Sequence, residues 1–288
     1  MRRCLRCDAE ITAADWHCSA CGNAPQRVHG FPAFAPALAV DNDGYDDSYF
    51  AELFRLESGN YWFRARNALL IWALHRFFPR ARDYLEIGCG TGYVLAGVAA
   101  GRPDLKLHAS EISSRGLPFA AGRVPQASLF QMDARAIPFR EHFDIIGMFD
   151  VLEHIEDDRG VLAQACRALR PGGGLIVTVP QHRFLWSRYD EHAHHVRRYA
   201  AAEIAEKVTA AGFRIIMTTS FVSLLLPLMH PDLAATAKAW AKLGATQFCT
   251  NVSGPDVKGV EGNLKRLEEV RSALLAGDMW TDARGGTA

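Results

Sequence analysis

Two cysteine pairs stand at the start of the chain, Cys4-x2-Cys7 and, after ten intervening residues, Cys18-x2-Cys21. A CxxC turn supplies two thiolates from one tight loop, and two such turns at this spacing complete a tetrahedral zinc site. The other reading, a redox CxxC, leaves the second pair without a role. Four thiolates leave no coordination position open, so Cys4, Cys7, Cys18 and Cys21 are expected to hold a structural rather than a catalytic zinc ion. Such a zinc ribbon is too small for a core of its own and depends on its metal. Arg2, Arg3 and Arg6 put positive charge at its tip. That charge either touches RNA or is simply solvated.

A second chemical signal is the run Leu85-Glu86-Ile87-Gly88-Cys89-Gly90-Thr91-Gly92-Tyr93. Glycines at a strand-to-helix turn let the backbone approach a ligand closely. The spacing is Gly-x-Gly-x-Gly, whereas the dinucleotide fingerprint Gly-x-Gly-x-x-Gly would need glycine where Tyr93 stands. Downstream, Glu111 and Asp133 fall at strand ends, where carboxylates can accept hydrogen bonds from hydroxyl or amine groups. Their alternative is helix capping or a solvated turn. His154 follows another strand and is a candidate general base, or a helix-start histidine with a structural hydrogen bond. The run from Pro180 to Tyr199 interleaves Phe184, Trp186 and Tyr189 with histidines and arginines, a composition suited to a loop closing over a substrate. Tyr189, His192 and His195 are candidate contacts or bases there. His192-x-His194-His195 with Asp190 and Glu191 could instead bind a metal. Upstream, Tyr61, Trp62 or Arg64 could close over a ligand, an arginine pairing with its carboxylate, or the aromatic residues could be a core stripe.

These groups need elements to position them. Helical spacing runs from Tyr49 to Phe78. Beyond it strand-like and helix-like segments alternate. Strands are expected at Asp83 to Ile87, Leu105 to Ala109, Ser128 to Gln131, Phe143 to Phe149, Leu175 to Val179 and Phe213 to Thr218. Helices are expected at Tyr93 to Ala100, Arg159 to Leu169 and Ala201 to Ala211. Such alternation implies an α/β fold with a doubly wound, mostly parallel sheet. The expected organisation is a zinc ribbon at 1–30, a linker at 31–48, the α/β domain at 49–220 and a helical C-terminal extension at 221–288. No convincing seventh strand is visible near the end. The apolar run at 221–229 reads as core or as a contact surface with a second copy of the chain.

In this order the motifs resemble those of the class I S-adenosylmethionine-dependent methyltransferases. Glu86-x-Gly88-x-Gly90-x-Gly92 looks like their first motif. Glu111 ends the second strand, where the resemblance implies contact with the ribose hydroxyls, and Asp133 sits where the family has an acid beside the adenine amine. Asp150-Val151-Leu152-Glu153-His154 resembles the sequence after the fourth strand, and Leu169-Arg170-Pro171-Gly172-Gly173-Gly174 the loop before the fifth. The cap resembles a Trp-x-x-x-Asp…His-x-Arg-Arg-Tyr stretch of a bacterial subgroup, and Tyr61 to Asn67 that subgroup's entry helix. The resemblance implies that Glu86, Gly88, Gly90, Gly92, Glu111, Asp133, Asp150, Arg64 and Trp62 hold S-adenosylmethionine, with S-adenosylhomocysteine as product.

The chain has 288 residues, with 32 basic and 32 acidic side chains and 49% apolar residues. Zero net charge disfavours a broadly basic nucleic-acid wrapper, and the apolar fraction disfavours disorder. The longest clean apolar run, Ala68 to Leu74, is too short to span a bilayer. The arginine-bearing N-terminus has no apolar segment of a signal peptide, so a cytoplasmic location with reduced cysteines is expected. The leading expectation is methyl transfer to an O or N atom of a small or medium-sized metabolite. A second is an RNA or protein methyltransferase using the ribbon for recognition, since some rRNA guanine methyltransferases carry a zinc ribbon ahead of this fold. A third is a non-catalytic cofactor-binding scaffold.

Overall fold

Consecutive apolar residues bounded by glycine-bearing turns become the inner strands of a single sheet. The computed structural model describes residues 1–40 and 47–220. At the N-terminus β1 (Arg2–Arg3) and β2 (Glu10–Ile11) pair antiparallel, and β3 (Gln26–Val28) and β4 (Phe31–Ala33) form a hairpin. Helices α1 (Asp47–Glu57) and α2 (Tyr61–Phe77) follow. Then come β5 (Asp83–Ile87), α3 (Tyr93–Gly101), β6 (Lys106–Glu111), α4 (Leu117–Arg123), β7 (Ser128–Gln131) and β8 (Phe143–Phe149). The remaining elements are α5 (Asp158–Ala168), β9 (Leu169–Thr178), α6 (Arg188–His192) and α7 (Ala201–Ala210).

The main sheet has seven strands in the order β3-β4-β7-β6-β5-β8-β9, all pairs parallel except the β3–β4 hairpin. Leu85, Ile145, Ile146 and Met148 are fully buried, as expected of parallel strands covered on both faces. The order in which strands are added reverses between β5 and β8, so a crevice opens beyond their C-terminal ends. The single helical stretch expected from Tyr49 to Phe78 is two helices. Asn60 starts the second, its side chain accepting from the Trp62 amide at 2.9 Å.

The N-terminal segment is built into the sheet. Within the stretch read as a linker, Phe31–Ala33 is a strand, and Ala33 pairs with Gln131 of β7. Trp16 packs edge-on against Phe34 at 4.7 Å and Phe139 at 5.2 Å. Cys4, Ile11, Trp16 and Cys18 belong to one apolar cluster with Phe130, Phe139 and Phe143. The N-terminal cysteine-bearing segment thus shares its core with the sheet.

Two local expectations change. Leu169–Gly174 is not a loop before the last parallel strand but part of β9. The β8–β9 register jumps from Phe143↔Leu169 to Ile145↔Gly174. The extra residues bulge at Gly172, whose φ of +81° suits glycine. Arg170 anchors the bulge to Asp83 and Asp144 at 2.9 and 2.7 Å. Residues 213–218 form no strand, and Ile215, Ile216 and Met217 are exposed. The expected helical extension and contact surface at 221–288 lie outside the described residues.

Candidate active site

Gly88, Gly90 and Gly92 all take positive φ, at +73°, +51° and +77°, a conformation that glycine adopts without strain. Their surroundings differ. A Cβ on Gly92 would meet the Ala120 Cα of α4 at 2.8 Å, and one on Gly88 would meet the Val151 side chain at 2.4 Å. A Cβ on Gly90 would meet nothing within 4 Å. Two glycines therefore let the loop pack tightly, and the third faces open space at the crevice.

Glu111, at the end of β6, accepts from the Gly90 amide at 2.8 Å and the Ile112 amide at 2.8 Å. Burial pushes its carboxyl up, and the Gly90, Ile112 and Ser113 amides pull it back. A carboxylate has about four lone-pair sites, so acceptor capacity remains for a ligand. Glu86 is buried beneath the loop and receives the Tyr84 hydroxyl at 3.0 Å; burial pushes its carboxyl up to about 8. Asp133, just past β7, is held by Arg135 through both oxygens at 3.0 Å.

A fastening the sequence did not reveal holds the loop from above. Glu57 at the end of α1 is 4% exposed, and the Thr91 hydroxyl lies 2.8 and 2.7 Å from its two oxygens. Arg123 of α4 donates to Glu57 at 2.5 Å and to the Thr91 hydroxyl at 2.8 Å. Three elements distant in sequence meet at the glycine loop.

Asp150 ends β8 with a positive φ of +58°. Its carboxylate accepts from the Thr178 hydroxyl at 3.0 Å and pairs with Arg66. The Arg66 guanidinium lies over the Trp62 ring at 4.3 Å. Trp62 thus takes part indirectly, by holding the arginine. Arg64 is exposed. A helix turns about 100° per residue, so position 66 points away from position 64, and Arg66 is the arginine that reaches the crevice.

The catalytic candidates divide. His154 and His195 stack edge-on with ring centroids 4.8 Å apart, and Tyr189, 68% exposed, lies 6.3 Å from His195. His192 is exposed at the end of α6 and joins no recorded contact of this cluster. Asp190 is fully buried: its Oδ1 meets His195 Nδ1 at 2.9 Å and accepts from Arg198 at 2.7 Å, while its Oδ2 accepts from the Ser187 amide at 2.9 Å. Burial, then the neighbouring His195, lowers His154 to about 4, so its ring is neutral at physiological pH. Glu153 is fully buried, and burial and then the Asp150 charge push its carboxyl well above the carboxylate range. The Val196 amide donates to the Glu153 carbonyl at 2.7 Å, tying the cap to the end of β8.

In the ribbon, the Cys4–Cys21 and Cys7–Cys18 sulfurs lie 3.7 and 3.6 Å apart, and all four lie within 4.8 Å of one another. Arg2 lies over the Trp16 ring at 4.7 Å, and Arg3 donates to the Ile137 carbonyl at 3.0 Å. Arg2 therefore braces the N-terminal segment internally, and Arg3 ties it to the loop before β8.

A family profile described as "Methyltransferase domain" matches residues 62–218, more than half of the chain. The chain belongs to the methyltransferase-domain family. A "Probable S-adenosylmethionine-dependent methyltransferase" of Mycolicibacterium smegmatis is 30% identical over 166 residues, 56% of this chain and 62% of that protein. The malonyl-[acyl-carrier protein] O-methyltransferase of Hahella chejuensis is 24% identical over 65% of this chain and 71% of its own length. The phosphoethanolamine N-methyltransferase 2 of Haemonchus contortus, solved with S-adenosyl-L-methionine, superposes with a TM-score of 0.55. It is 20% identical and matched over 82% of this chain and 55% of its own, which speaks for the fold alone. The matches span 62% and 57% of the two first-ranked curated relatives. Among its described residues, this methyltransferase-domain chain has no helix long and apolar enough to cross a membrane.

In this methyltransferase-domain chain, sequence reading missed Glu57, Thr91, Arg123, Arg66 and the full burial of Glu153 and Asp190. For the last two a signal existed, because each lies within a motif already singled out. For the Glu57 fastening none did, since its partners are 34 and 66 residues away.

Proposed function

We propose that the chain transfers a methyl group from S-adenosylmethionine to an O or N atom of a small or medium-sized metabolite. The observation that carries this reading is the open space in front of Gly90, beside the Glu111 carboxylate, at the crevice between β5 and β8. The residues fit the cofactor. Glu111 offers acceptor capacity to a ribose diol, the glycine loop admits close approach, and Glu86 and Asp150 line the adjoining strand ends. When bound, S-adenosylmethionine supplies an electrophilic methyl group on a sulfonium.

The chain's own task is alignment and exclusion of water. The α1 fastening holds the loop, and the Arg66–Asp150 pair fixes the end of β8. Tyr189 and His195 of the cap meet His154, which follows Glu153 at the end of β8, and this is the group to which we assign the acceptor side of the reaction. Engagement of Arg2 and Arg3 within the protein disfavours the ribbon as an RNA-binding tip. The four cysteines suit one structural zinc ion, because Zn–S bonds of about 2.3 Å place tetrahedral sulfurs about 3.8 Å apart.

Calorimetric titration of the full chain with S-adenosylmethionine should show one site. Labelled methyl transfer into a cell extract should then put label in the small-molecule fraction. Absence of cofactor binding, or label confined to RNA or protein, would overturn this reading.

A further inference from the structure

We infer that Glu153, His154 and His195 form a binding site for one divalent transition-metal cation, distinct from the four cysteines. One ligand atom from each of the three residues lies within 4.8 Å of the other two. Two imidazoles and a carboxylate suit zinc, manganese, iron(II) or cobalt, and such a triad leaves coordination positions open. Magnesium, which prefers oxygen ligands alone, suits it poorly.

The independent observation is Glu153. It is fully buried, and neither of its carboxylate oxygens has a hydrogen-bond partner. Buried polar groups are nearly always paired. Arg66 pairs with Asp150 through Nη1 and Arg198 with Asp190, and although the Arg66 Nε is unpartnered it makes no hydrogen bond to Glu153. A cation between Glu153 and the two rings supplies the missing partner.

The surroundings are those of ligating histidines, whose second nitrogen is normally bound to a carboxylate or carbonyl. Asp190 engages His195 at Nδ1, leaving Nε2. The backbone of Ala193 and His194 hydrogen-bonds the His154 ring. The metal set expected from the cap, His192, His194 and His195 with Asp190 and Glu191, is not the one assembled. His192, His194 and Glu191 are exposed, and Asp190 stands behind His195. The other mixed cluster, Asp83 with His108 and His142, differs because Arg170 already pairs with Asp83 at 2.9 Å.

The catalytic consequence rests on the proposed methyl transfer; the binding of the cation does not. An acceptor hydroxyl coordinated at an open position loses its proton to solvent more readily. Its oxygen then forms the new C–O bond as the methyl C–S bond breaks, the electron pair of that bond staying on sulfur.

The test uses the full chain with its cysteine site loaded with zinc, titrated with Mn2+ and followed by loss of the free-ion electron paramagnetic resonance signal. Thiolates select zinc over manganese, so the cysteines do not contribute. One Mn2+ should bind, with affinity reduced at least about tenfold in Glu153→Gln and in His195→Asn, while both variants keep the wild-type affinity for S-adenosylmethionine. Should either variant fail to fold, Co2+ added to the zinc-loaded wild type still decides. It should give visible d–d bands without thiolate charge transfer. Absence of Mn2+ and Co2+ binding in the wild type, or unchanged Mn2+ affinity in folded variants, would overturn the site. Loss of cofactor binding with Mn2+ binding intact would instead overturn the proposed function alone.

Discussion

The proposed cofactor half and the proposed acceptor half of the crevice are built differently. In the first, the working parts are backbone: three glycines at positive φ, and amides that grip Glu111. Contiguous residues at one strand-to-helix turn provide most of it. In the second, the working parts are side chains assembled from the end of β8 and from a cap some 40 residues later, held by the buried Asp190. A backbone site tolerates few substitutions, because a Cβ clashes at Gly88 and Gly92 and enters the open space at Gly90. A side-chain site depends on neighbours that keep each group in place, so its weak points lie behind the reacting groups.

The largest effect should come from Gly92→Val. It combines left-handed strain with a clash against the Ala120 Cα and should cost about 2–5 kcal/mol in denaturant unfolding, with loss of cofactor binding. Gly90→Ala sharpens the contrast. It should cost only about 1 kcal/mol, yet weaken S-adenosylmethionine at least about tenfold in calorimetry, because its methyl enters the open space. If both glycines behaved alike, the distinction between packing and ligand-facing positions would fail.

In the acceptor half, Asp190→Ala leaves Arg198 and His195 buried without their carboxylate. Chemical unfolding should register a loss of about 3–5 kcal/mol, with cofactor affinity kept within about threefold if the two halves are separable. A fall in cofactor affinity as large as that of Gly90→Ala would show that they are not.

Arg66→Ala should lower cofactor affinity about tenfold by freeing the end of β8, whereas Arg64→Ala should change stability by less than about 0.5 kcal/mol and leave affinity alone. The reverse result would return the ligand-facing role to Arg64. A further effect is a pH slope. The Glu86 carboxyl sits near 8 in the fold against an ordinary 4.5. Below pH 4.5 both states are protonated; between 4.5 and 8 the unfolded chain ionises and the folded one does not, so stability falls as pH rises. Glu86→Gln should remove that fall, seen as a melting temperature that declines by several degrees less between pH 5 and pH 8.

Much of this was legible in the residue order. Asp83–Ile87, Ser128–Gln131 and Phe143–Phe149 are strands at the expected limits, because short, largely apolar segments alternating with helical stretches leave little alternative. Gly88, Gly90, Gly92 and Glu111 could be placed because their requirements are local: a left-handed turn, and an acid at the next strand end. The cysteine spacing likewise anticipated four sulfurs converging.

Only the tertiary structure decided the rest. Phe31–Ala33 became a strand by pairing with the edge of β7, and Phe213–Thr218 did not become one. Arg66 rather than Arg64, the joining of Glu57 to Thr91 and Arg123, and the pairing of Asp190 with His195 depend on which helix face or loop reaches the crevice. Periodicity and motif spacing encode contacts within a few residues of each other. A hydrogen bond across 30 or more residues depends on how whole elements pack, and its partners carry no mark of each other in the sequence.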